Sequence, residues 1–97
     1  MTRYTEELIK LSNEFLTPNR KELLEQLLEQ PSNYSMYCLF KSYDEERLYN
    51  LTRNSVQTLA KPNISIKVKS DNEKFLSIVL GAFQARYEEI QNESNLI

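Results

Sequence analysis

The chain contains no histidine, and that absence narrows its chemistry more than any residue it holds. Imidazole is the commonest general base near neutral pH and the commonest transition-metal ligand, so both roles lose their usual carrier. Cysteine is scarce as well. The single Cys38 excludes an internal disulfide framework and, without histidine, a structural zinc site of the usual Cys/His kind within one chain. A nucleophilic Cys38 would need a low-pKa setting, usually an imidazole partner, so a core thiol in an apolar segment is the expected reading. The single glycine, Gly81, sits inside a helical pattern, which leaves no glycine-rich loop to cradle phosphate.

No apolar run approaches membrane-spanning length, and the first residues, with Arg3, Glu6, Glu7 and Lys10, lack the apolar stretch of a signal peptide. A cytoplasmic address is expected, with the nucleus as the other possibility, and no membrane, metal or cofactor is called for. Charge of one sign is also lacking. Twelve basic side chains face fourteen acidic ones, a net charge of −2 that makes no global field for nucleic acid or anionic membrane. Carboxylates, lysine or tyrosine remain as catalytic groups, but none clusters persuasively. Glu22, Glu25 and Glu29 read as a solvated helix face, and Asp44, Glu45 and Glu46 as residues suited to a helix start. Nothing selects an enzyme.

Hydrophobic residues make up 40% and charged residues 27%, too apolar for disorder, and 97 residues leave room for one domain. Over residues 3–16, Tyr4, Leu8, Leu11 and Phe15 form one helical stripe. Thr17-Pro18 then pairs a good N-cap with the residue best suited to a first helical position. The second helix, residues 18–29, carries Leu23, Leu24, Leu27 and Leu28 on one side and stops at Pro31. The aromatic and apolar run 34–41, between Pro31-Ser32-Asn33 and Ser42, has the length and composition of a strand. Ser42 and Glu45 match a capping box opening a third helix that runs to residue 60. Ile64, Ile66 and Val68 alternate with Ser65, Lys67 and Lys69, a half-buried strand pattern. Ser70 and Glu73 match a second capping box, opening a final helix over residues 71–91, with 92–97 as a frayed tail of the single domain 1–97.

These elements predict a helix-dominated α+β fold of order α-α-β-α-β-α. The β-α-β stretch would be parallel and right-handed. Two strands make a meagre sheet, so pairing of the 64–68 edges into a four-stranded sheet across a dimer is an expectation. The alternative is an all-α bundle in which residues 34–41 join the third helix.

The final helix is the most informative element. Its apolar residues, from Phe75 through Ile90, cover roughly 220° of the cylinder, about twice the stripe of an ordinary surface helix. It must be covered from two directions, either as a central core helix or with part of the arc left for a second chain. Arg86 falls near the middle of that arc. It either extends its head to solvent or pairs with a carboxylate in this chain or across an interface.

Two groups of residues suggest binding. Between Arg53 and Lys74 there is a local excess of three positive charges. Lys67 and Lys69 are expected on one sheet face, with Lys61 and Lys74 at its ends: a solvated edge, a site for an acidic protein, or a site for phosphates. Tyr43, Tyr49 and Arg53 are expected on one flank of the third helix, and with Arg86 they are the candidate partner-binding residues. The function expected is a non-enzymatic protein–protein interaction module, a small regulatory or assembly subunit binding another subunit or itself. The alternative is a nucleic-acid-binding accessory protein using the four lysines.

Overall fold

The computed structural model describes residues 2–95, and every regular element within them is an α-helix. Helix α1 spans Arg3–Phe15, α2 Pro18–Leu27, α3 Pro31–Lys41, α4 Glu45–Leu59 and α5 Ile66–Asn95. The α+β expectation is therefore wrong in both of its strands. The all-α alternative is the right class, though residues 34–41 form a helix of their own rather than the start of α4.

Local sequence explains the first half well. Thr2 caps α1 through its side chain, which accepts from the Thr5 N–H, and Thr17 does the same for Arg20 in α2. Pro18 occupies the first turn of α2 as anticipated, and Pro31 occupies the same position in α3. Pro31 therefore starts a helix as well as following one. Ser42 ends α3, its hydroxyl donating to the Leu39 carbonyl at 2.6 Å. The cap of α4 is Asp44, whose carboxylate accepts the Arg47 N–H at 2.8 Å, so Ser42 does not open the helix.

The second misread strand has a similar cause. Ser65 caps α5, its hydroxyl accepting the Val68 N–H at 3.1 Å, so Ile66, Lys67 and Val68 make the first helical turn. The Ser70–Glu73 pair lies inside the helix. Lys61, Pro62 and Asn63 make the preceding turn, and Asn63 takes the left-handed conformation at φ 63° that asparagine tolerates. Without a strand at 64–68 the four-stranded dimer sheet has no basis. Residues 92–95, expected as tail, continue α5, and residues 96 and 97 lie outside the described residues.

The thirty residues of α5 span about 45 Å, nearly the full 50 Å length of the molecule. Each of the other four helices packs on it, and α1 also packs on α4. All eight residues from 76 to 83 are buried, so α5 is enclosed on every side over that two-turn stretch, while Ile90 at the far end of the arc is exposed. The core joins Leu76, Ile78, Val79, Leu80, Ala82 and Phe83 to Leu8, Leu16, Phe40 and Leu48. Close approach of α2 depends on Gly81, where a Cβ would lie 2.4 Å from the Leu24 Cδ2.

Candidate functional site

A concavity of about 350 Å³ lies between α2 and the N-terminal half of α5. Leu23, Gln26 and Leu27 line it from α2, and Ser70, Lys74 and Ser77 from α5. Helical periodicity explains the pairing. On α2, Leu23 and Leu27 are one turn apart, while Glu22 and Glu25 do not line the groove. On α5, Ser70 and Ser77 lie within about 60° of one another and of Ile66, so Ile66 continues the same stripe one turn beyond the groove.

An ion pair crosses the groove. Arg20 Nη2 donates to Glu73 Oε2 at 2.6 Å, and the guanidinium lies 5.0 Å from the centre of the Phe15 ring. Arg20 and Glu73 are each about a quarter to a third exposed, so the pair is neither dry nor fully screened. Leu23 is 47% exposed and Ile66 89% exposed, the latter an extreme value for a large aliphatic side chain. Beside them Lys61, Lys67, Lys69 and Lys74 are exposed, and none takes part in an ion pair among the described residues.

The helical geometry rearranges the predicted basic patch. Lys67 and Lys69 do not share a sheet face; they project about 160° apart on α5. Lys67 and Lys74, seven residues apart, align within about 20° of each other along the groove side. Sequence reasoning therefore found the cations but paired them wrongly. It also missed Arg20, Leu23, Leu27 and Ile66 as groove residues, having assigned the leucines to a buried stripe and Ile66 to a buried strand face.

The candidate partner-binding residues do not assemble into one surface. Arg86 donates to the Tyr43 carbonyl and its Nη2 sits 3.8 Å from Glu45 Oε1, so its charge is answered within the chain at the start of α4. The Tyr43 ring is half-buried under the Arg47 guanidinium, 4.0 Å away, and meets Phe40 edge-on. Tyr49 packs against Tyr4 with ring centres 5.2 Å apart. Arg53 is exposed one turn further along α4. Cys38, expected in the core, is exposed on α3.

On α3, burial holds the Tyr37 hydroxyl above the ordinary tyrosine range, with Lys41 opposing and Glu89 assisting. Lys41 is itself raised, chiefly by its hydrogen bond to Glu89 at 3.0 Å. Among the described residues no group of three or more possible metal ligands converges, and no helix is long and apolar enough to cross a membrane. Comparison of the chain with protein-family models, with curated proteins and with solved structures found no match.

Proposed function

We propose that the chain is a non-enzymatic protein-interaction module, a small regulatory or assembly subunit. The observation that carries this reading is the first turn of α5, where Ile66 is 89% exposed and Val68 40% exposed among unpaired lysines. A free surface gains nothing from such residues, whereas aliphatic anchors ringed by polar groups suit a protein partner. The charges at the ends of α5 add support. Its first turn holds no acid and its last turn no base, with Lys67 and Lys69 in the one and Glu93 in the other. This is the reverse of what the helix dipole favours, at about 0.3–1 kcal/mol for each charge near a terminus. Such charges are expected where association, rather than the isolated fold, sets the sequence.

Nucleic acid fits less well. Lys67 and Lys69 diverge around the helix, and no aromatic ring lines the groove for a base to stack on. The test is capture of partners by the tagged, intact chain from its native host extract, with and without nuclease, followed by mass spectrometry. A stoichiometric protein that survives nuclease is the expected result. Recovery of nucleic acid alone, or of proteins that nuclease removes, would overturn the reading in favour of the accessory-protein alternative.

A further inference from the structure

Resting on that reading, we infer that the α2–α5 groove and the adjoining first turn of α5 form a docking site for an acidic segment of another protein, anchored by apolar side chains. Its dimensions come first. A cavity of about 350 Å³ is at the small end of the range for ligand pockets. It accommodates a few side chains from a peptide rather than a large cofactor. Leu23 and Leu27 give those side chains an aliphatic wall, and Ile66 extends the apolar track along the same stripe of α5. Gln26 and Ser70 supply uncharged hydrogen-bonding groups between them.

Charge then decides the partner's sign. Neither Glu22 nor Glu25 of α2 lines the groove, and Glu73 is already engaged by Arg20. Lys67 and Lys74 are unpaired along the groove side, and Arg20 uses only Nη2 in its hydrogen bond to Glu73. A guanidinium presents five donors, so a second carboxylate can share it without displacing the first. The site therefore offers apolar contacts at its centre and, at its rim, two lysines that make no ion pair among the described residues, with Asp71 one turn from each as the one acid beside them. An incoming segment with aspartate or glutamate flanking two or three aliphatic or aromatic residues satisfies both.

Shape argues against an anionic bilayer. A planar surface can touch Ile66, Val68 and the lysines, but it cannot enter a concavity to reach Leu27, which is only part-exposed on the groove wall. A protein segment can do both.

The experiment uses the intact chain and a displayed library of random dodecapeptides, with selected peptides synthesised and titrated by NMR. Enriched sequences are expected to combine acidic with aliphatic or aromatic residues. Amide shifts should fall in residues 20–30 and 66–77. Affinity should drop about tenfold or more in Lys67→Glu/Lys74→Glu and in Leu23→Ser, two surface changes whose folding is checked by circular dichroism. Either neutral or basic consensus sequences, unchanged affinity in the folded variants, shifts on α3 or α1, or no enrichment at all would overturn the assignment. So would co-sedimentation with phosphatidylglycerol-containing vesicles together with no peptide binding, which would favour a membrane surface.

The same variants separate this inference from the broader reading. If the nuclease-resistant partner from host extract is captured equally by the chain and by Lys67→Glu/Lys74→Glu, the interaction module stands and the groove is the wrong site. If no such partner exists, the broader reading itself fails.

Discussion

On one side of α5, helices α1 and α4 bury Leu8, Leu48 and Thr52 completely, whereas α2 buries none of its ten residues and α3 only Phe40. The tight side is also cross-linked by polar contacts. Ser55 donates to the Asn72 side chain at 2.7 Å, and Arg86 ties the start of α4 to α5. Helix α3 is held by Phe40, edge-on to Phe75, and by the Lys41–Glu89 pair, whereas α2 depends on one aliphatic fit, Leu24 against Gly81, and on the Arg20–Glu73 pair. The difference assigns separate tasks. Stability resides with α1 and α4, which leaves α2 free to hold a groove open at little cost to the fold.

The largest effect should come from breaking the tight side. Leu48→Ala is expected to cost about 2–5 kcal/mol, a large share of the stability of a domain this size. Leu23→Ala on the loose side should change stability by no more than about 0.5 kcal/mol. Chemical denaturation of both variants checks the contrast, and comparable losses would dissolve it.

Next is a change that should loosen α2 alone. Gly81→Leu fills the space taken by Leu24 and is expected to cost about 1–3 kcal/mol. Native-state hydrogen exchange should then quicken in α2 while the amides of α4 keep their protection. Equal acceleration in both helices would mean that α2 is part of the same cooperative unit.

A smaller effect, of opposite sign, is expected at a flaw on the tight side. The Ser12 hydroxyl is buried without a hydrogen-bond partner. Ser12→Ala removes it and supplies a better helix former, so stability should rise by about 0.5–1 kcal/mol in a thermal or denaturant melt.

The smallest effect belongs to α3 at high pH. Tyr37 and Lys41 both titrate higher in the folded chain than in the unfolded one. Their contributions are thus fully present below the ordinary tyrosine and lysine values near 10, and are lost as pH rises through the folded values. The melting temperature should fall between about pH 9 and pH 11, and Tyr37→Phe should fall less steeply. An unchanged slope would remove Tyr37 from the account.

Much of the tight side was legible in the sequence. Tyr4, Leu8, Leu11 and Phe15 announced α1, Thr17-Pro18 set the α1–α2 corner, and the breadth of the apolar arc called for cover on α5 from two directions, as a core helix or with a second chain. The failures share one physical origin. A two-residue alternation over six positions, as in Ile64 to Lys69, is too short to distinguish a strand from a helical first turn whose side chains are all exposed. Nothing buried fixes the period there, because Ile66 has no intrachain partner. Pro31 was the overlooked signal for α3, since it stands in the same helix-opening position as Pro18. The groove was harder to see. It arises from how α2 crosses α5, and the three leucines of α2 give no local sign that Leu23 stays in water while Leu24 meets Gly81.

The position of α5 in the chain has a consequence for synthesis. Apart from α1 on α4, every substantial contact between helices among the described residues includes α5. Yet α5 is translated last of the five, and helices of 10 to 15 residues are marginal on their own. Before α5 emerges, α1 and α4 can meet each other, but α2 and α3 have no substantial partner among the described residues. Consolidation of the five-helix bundle therefore waits for the stretch from Leu76 to Phe83, and until that stretch emerges only the α1–α4 contact is open to the nascent chain.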